Sequence, residues 1–98
     1  MADTFRLLLA QLNPTVGAIA ANAAKARAVW EQARAARADM AALTEMFITG
    51  YQTQDLILKP AFVAEAVAAI EALARDCTDG PALGIGGPAL REGRLYNA

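Results

Sequence analysis

Two short apolar runs flank one long amphipathic stripe, and that alternation limits the possible fold more than any other feature. Residues 5–11 read Phe-Arg-Leu-Leu-Leu-Ala-Gln. A continuous apolar run of this length suits a strand covered on both faces. Asn13-Pro14-Thr15-Val16-Gly17 then breaks it with turn chemistry. Over residues 18–37, Ile19, Ala23, Ala26, Val29 or Trp30, and Ala33 recur at three- and four-residue steps. Lys25, Arg27, Glu31, Gln32 and Arg34 take the other side, which makes this a helix with one buried stripe. Trp30 is the large anchor of that stripe and reads as core. Ala38-Asp39 is a short connection, and residues 40–44 read as a second strand. Strand, helix and strand at this spacing make a βαβ unit with parallel strands. Both strands then end on one edge of the sheet.

The remaining sequence extends the pattern. Residues 50–59 form a polar loop around Leu56-Ile57-Leu58. Pro60 suits the first turn of a helix, where a missing N–H costs nothing. Phe62, Val63, Ala66, Val67, Ile70, Leu73, Ala74 and Cys77 then repeat at helical spacing, with Glu71 and Arg75 as an outward i,i+4 pair. Thr78-Asp79-Gly80-Pro81 ends that helix. Residues 82–87 predict a third strand of small residues, and residues 88–93 a turn. Residues 94–98 predict the opening of a fourth strand, paired with the third as a hairpin. The expected class is α/β in the order β-α-β-α-β-β, and the pattern stops without a terminating signal.

Composition narrows the chemistry. With 98 residues, the chain makes one domain at most, or part of one. Of these, 25 are Ala, which favour helix but bury little area, so the expected core is small. Nine basic and ten acidic groups leave a net charge of −1, which gives no electrostatic footprint for nucleic acid or a membrane surface. There is no histidine and one cysteine. That removes His-dependent triads, multi-cysteine zinc sites and an intrachain disulfide. No stretch has the length of a membrane span, and the first residues lack a signal-peptide pattern. A cytoplasmic location with no membrane partner is expected.

The chemistry gathers around Leu43-Thr44-Glu45-Met46-Phe47-Ile48-Thr49-Gly50-Tyr51. In open α/β sheets, ligands collect at the carboxyl ends of strands. Glu45 stands there, and an acid kept out of water at such a rim is a candidate for proton transfer. Gln11 and Asn13, at the end of the first strand, are expected beside it. The plainer reading is a solvated acid at a strand end. Tyr51 reads either as a packing lid or as a ligand contact. Gly84-x-Gly86-Gly87 lacks the Lys-Ser/Thr of a phosphate loop and is rejected as one. Cys77 reads as inert core and Lys59 as surface.

Four segments together resemble a known family. They are Gln11-Leu12-Asn13-Pro14-Thr15-Val16-Gly17, Thr44 to Tyr51, Gln54-Asp55-Leu56-Ile57-Leu58-Lys59-Pro60-Ala61-Phe62, and Gly93-Arg94-Leu95-Tyr96-Asn97-Ala98. They resemble the amino-terminal glutaminase domain of bacterial glutamine-dependent NAD synthetases, within the nitrilase, or carbon–nitrogen hydrolase, superfamily. The segment around Glu45 indicates the superfamily, and residues 51–62 point to the synthetases. The resemblance implies a partial α-β-β-α sandwich, with residues 1–98 as the amino-terminal part of the glutaminase domain. It implies Glu45 as general base, paired with a Lys and a nucleophilic Cys that lie beyond Ala98. Tyr51 becomes a candidate for the substrate pocket.

For the parent enzyme, the resemblance implies glutamine and deamido-NAD as substrates, assembly as a homo-oligomer, and ATP with Mg in a synthetase domain absent from this chain. No cofactor is expected on these 98 residues, and the isolated chain is expected to be inactive. The family usually has Pro where Thr44 stands, and Gln52-Thr53-Gln54 replaces a more Pro-rich, acidic run. Another amidase or carbamoylase of the superfamily, or a non-enzymatic α/β interaction module, remains an alternative.

Overall fold

The computed structural model describes residues 3–98. Strand β1 (Leu7–Leu9), helix α1 (Ile19–Ala35) and strand β2 (Met40–Ala42) form the expected βαβ unit. A 3-10 turn (Gln54–Leu58) precedes helix α2 (Pro60–Asp76) and strand β3 (Ala82–Gly84). Strands β4 (Pro88–Arg91) and β5 (Arg94–Asn97) follow. Strands β1, β2 and β3 make a parallel sheet in that order, and β4 and β5 make a separate antiparallel pair. The fold is α/β, as expected, with one strand more than the sequence pattern suggested.

The register explains the packing. Leu8, Ala41 and Leu83 stand side by side across the sheet. They share one face, and all three pack with Val29 and Ala33 of α1. Leu7 and Leu9 alternate to the opposite face, and both are exposed, Leu9 at 74%. The run was expected to be covered on both sides; within this chain only the helix side is covered. The molecule is long, 48 × 28 × 20 Å.

Helix α1 buries Ile19, Ala26, Val29, Trp30 and Ala33 of the predicted stripe, together with Asn22, and leaves Ala23 half-buried. It ends without a glycine. Arg37 takes the left-handed conformation at φ 56°. Ala38 N–H donates to Ala33 O at 2.9 Å, and Arg37 N–H to Arg34 O at 3.1 Å. This is a Schellman stop with Arg at the position glycine usually fills. The next residues seal the start of the sheet: the Asp39 carboxylate accepts the Arg6 N–H at 2.7 Å. Trp30 donates its indole N–H to Pro81 O at 2.8 Å, which holds the α2–β3 connection against α1.

Pro60 does occupy the first turn of α2. The helices are joined by Arg27–Asp76 at 2.7 Å, whereas Glu71 and Arg75 are not an ion pair among the described residues. Both partners of the Arg27–Asp76 pair are about half exposed, so its contribution is below about 1 kcal/mol. Apolar burial matters more. Phe47, Ile48 and Leu73, each within 1% of full burial, form the centre of the core with Ile19, Ala26 and Ala66. Each large side chain contributes roughly 1.5–3 kcal/mol.

The carboxyl-terminal third corrects the predicted strands. The third strand stops at Gly84 instead of Gly87 and pairs in parallel with β2. Residues 88–91, expected as turn, are a strand themselves. The hairpin joins β4 to β5 across a two-residue turn at Glu92 and Gly93, both with positive φ. That geometry matches the twist of the flanking strands. Pro88 opens β4, where it gives up no needed hydrogen bond.

Candidate active site

Glu45 lies three residues past the end of β2, at the start of a turn over residues 45–49. Strand β2 therefore ends earlier than the predicted residue 44. The turn is not a surface loop. Met46, Phe47, Ile48, Thr49 and Gly50 are buried, so the chain turns inward as a plug immediately after Glu45. The apolar pair Phe47-Ile48 drives this, and Glu45 is left at the mouth.

Backbone contacts on two sides and one buried hydroxyl hold the turn. Ile48 N–H donates to Gly86 O at 3.1 Å. Gly86 lies flat against the turn's backbone: a Cβ there would sit 2.7 Å from Thr44 O and 2.9 Å from Glu45 C, and closer still to Met46 N. Glycine at 86 thus serves close backbone approach rather than phosphate binding. On the other side, Gly50, at φ +80°, packs against the 15–16 backbone, where a Cβ would meet Val16 Cα at 2.6 Å. Gly17 N–H also donates to Thr49 O at 2.9 Å. The Thr49 hydroxyl, fully buried, lies 3.1 Å from Met46 O and caps its own turn.

Leu12, Asn13, Pro14, Thr44, Glu45 and Tyr51 line a hollow of about 300 Å³. The two strand ends do meet here, as the parallel topology requires. Asn13 is in the lining; Gln11, expected there too, is not among the lining residues. Lys25 fixes the Asn13 loop by donating to Asn13 O at 3.0 Å. Tyr51 is 62% exposed, so it is no packing lid within this chain. Glu45 is itself exposed, against the expectation of an acid kept out of water. The reason is that no described element lies over the hollow's open side.

One partner of Glu45 escaped the sequence reading. Asn97, near the end of β5, donates its side-chain amide N–H to Glu45 Oε1. The hairpin carries this donor across 52 residues of chain. A second missed residue is Asn22, wholly buried on the apolar stripe of α1. A polar side chain among Ile19, Ala26 and Val29 was the available signal.

The other reactive groups stand apart. Cys77 caps the end of α2 and lines a different hollow with Ile70, Leu73, Leu83 and Ile85. Burial pushes its thiol up, and the Arg27 guanidinium only partly opposes this. Lys59 is exposed at the start of α2. Among the described residues, no group of three or more His, Cys, Asp or Glu comes together to hold a metal. No described helix is long and apolar enough to cross a membrane. The hollow offers one carboxylate, held by Asn97, at the junction of two strand ends, a group able to accept a proton.

Comparison with known proteins is consistent with this geometry. The carbon-nitrogen hydrolase family model matches residues 6–98. Over 98 residues, the chain is 66% identical to a glutamine-dependent NAD(+) synthetase of Rhodobacter capsulatus and covers 18% of it. It is 37% identical to one of Xylella fastidiosa, covering 99% of this chain and 18% of that protein. The chain thus spans under a fifth of the curated relatives it matches. The crystal structure of a glutamine-dependent NAD(+) synthetase from Cytophaga hutchinsonii superposes with a TM-score of 0.88 at 29% identity, over 97% of this chain and 16% of that one. An amidase from Nesterenkonia sp. shares the fold, with a TM-score of 0.72 at 22% identity over 87% of this chain and 32% of that one. With nearly its whole length matched by the family model, the chain belongs to the carbon-nitrogen hydrolase family.

Proposed function

We propose that residues 1–98 are the amino-terminal part of the glutaminase domain of a glutamine-dependent NAD synthetase, with Glu45 as the general base. The observation that carries the reading is the oriented Glu45 carboxylate on the hollow where β1 and β2 end, in a chain 66% identical to such a synthetase. The nucleophilic thiol and the cation that the chemistry needs come from residues outside this segment. They approach from the open side, which also removes water from Glu45 and completes the layer over Leu7 and Leu9.

The steps follow from that arrangement. Glu45 accepts the thiol proton, and the thiolate sulfur attacks the side-chain amide carbon of glutamine. A fixed ammonium group offsets the oxyanion that develops there. Collapse breaks the C–N bond, ammonia leaves with the proton Glu45 returns, and a thioester remains. Glu45 then takes a proton from water, whose oxygen attacks the thioester carbon; the C–S bond breaks, glutamate leaves, and Glu45 returns the proton to the sulfur. Tyr51, on the wall of the hollow, contacts the bound glutamine. The ammonia passes to a synthetase domain that uses ATP and Mg to amidate deamido-NAD. The complete enzyme is a cytoplasmic homo-oligomer in this reading.

The test is glutamine hydrolysis by the complete enzyme carrying this segment. Glu45→Gln is expected to lower kcat by about 10²–10⁴-fold, the usual contribution of a positioned general base. The isolated 98-residue chain is expected to hydrolyse no glutamine. Hydrolysis by the short chain, abolished by the same substitution, overturns the need for outside residues. A complete protein that hydrolyses other amides and forms no NAD identifies an amidase or carbamoylase. A folded complete protein with no amide hydrolysis identifies an interaction module.

A further inference from the structure

We propose that Asn22 is a positioning residue for Glu45, strapping together the two loops that form the walls of its hollow. The inference rests on Glu45 being the general base. Asn22 lies on α1, is wholly buried, and uses both ends of its amide. Its Oδ1 accepts the Thr15 N–H at 3.0 Å. Its Nδ2 donates to Thr15 O at 2.8 Å and to Ile48 O at 3.1 Å. One side chain therefore ties the loop after β1, which carries Asn13 and Pro14, to the plug after β2, which begins at Glu45.

The chemistry of the site explains why an amide stands there. The two loops present backbone groups to the interior that no strand pairing satisfies, and a buried unpaired N–H or C=O is costly. Only a side chain with both a donor and an acceptor serves Thr15 and Ile48 at once. An apolar residue on the same stripe would fill the space but remove all three of these hydrogen bonds, leaving the loops joined by the Gly17 N–H to Thr49 O bond and the contact of Gly50 with the 15–16 backbone. Ile48 is three residues from Glu45, and Gly86 blocks the plug on its far side. Loss of the bond to Ile48 O thus loosens the turn that begins at Glu45 on the side that faces α1. The effect on catalysis is one of placement, since Asn22 reaches neither substrate nor the reacting atoms.

The experiment compares four variants of the complete enzyme in glutamine hydrolysis, each checked for folding by circular dichroism. Asn22→Leu, nearly isosteric, removes all three hydrogen bonds. Asn22→Asp keeps the acceptor toward Thr15 N–H and loses both donors, and it carries the test if the leucine variant does not fold. Val29→Ala, in the α1–β2 core away from the hollow, controls for destabilisation alone. Glu45→Gln reports on the base itself.

Misplacing a catalytic group by about 1 Å costs on the order of 10²-fold. Asn22→Leu and Asn22→Asp are therefore expected to lower kcat by about 10–100-fold with KM within about threefold. Val29→Ala should leave kcat within about twofold, because it changes only how often the chain is folded. Wild-type kcat in a folded Asn22 variant, or an equal loss of kcat in Val29→Ala, overturns the positioning role while an inactive Glu45→Gln leaves the base assignment standing. Wild-type turnover by Glu45→Gln overturns both.

Discussion

Adding one methyl group at Gly86 tests whether the plug after β2 is held by backbone contact. Carbon atoms in contact are about 3.5–4.0 Å apart. A Cβ at residue 86 would stand 2.9 Å from Glu45 C and 2.7 Å from Thr44 O, an overlap of about 0.6 Å or more against the first. These are main-chain atoms, so no rotamer change relieves the clash. Either the turn moves outward or residues 85–87 move away and give up the 3.1 Å bond from Ile48 N–H to Gly86 O. Overpacking costs about 1–3 kcal/mol, and a lost hydrogen bond adds about 0.5–1.5.

Gly86→Ala should therefore destabilise by about 2–4 kcal/mol. For a domain of 150–250 residues, that lowers Tm by about 4–16 °C. A displaced Glu45 should also cut kcat for glutamine hydrolysis by up to about 10²-fold. The contrasting variant is Gly93→Ala. Gly93 has φ +75° and nothing near it, so alanine there meets only left-handed strain of about 1–2 kcal/mol and should leave kcat unchanged. Thermal melts and steady-state hydrolysis of the complete enzyme read both effects. A Gly86→Ala protein with wild-type Tm and kcat would refute the backbone-contact argument.

Two further outcomes follow from single contacts. Asn97→Leu removes the donor to Glu45 Oε1. Because both residues are exposed, the loss should be about 1 kcal/mol, or roughly fivefold in kcat, with Tm little changed; an unaltered kcat would show the contact to be idle. Cys77 should alkylate more slowly than an ordinary thiol at neutral pH, since burial pushes its proton affinity up and only the thiolate reacts. Its rate should climb only at higher pH, as mapped by mass spectrometry of the Cys77 peptide, and rapid labelling at neutral pH would contradict this.

The local chemistry of the chain was enough for its scaffold. Apolar spacing marked α1 and α2 to within two residues at α1, Pro60 marked a helix start, and the βαβ arrangement put Asn13 and Glu45 on one edge. These features depend on neighbours three or four positions away, so they are visible in a string of residues. The carboxyl-terminal strands were misassigned because Pro88 and the glycines before it have the same local signature in a turn as at the start of an edge strand. Which of the two forms depends on the partner strand, and so on the whole fold. The same holds for the finer parts of the site. Asn22 reaches Ile48 across 26 residues and Asn97 reaches Glu45 across 52, while Gly86 matters only because another backbone lies against it. Steric contact and hydrogen-bond satisfaction at such separations arise from packing, and no periodicity in the sequence encodes them.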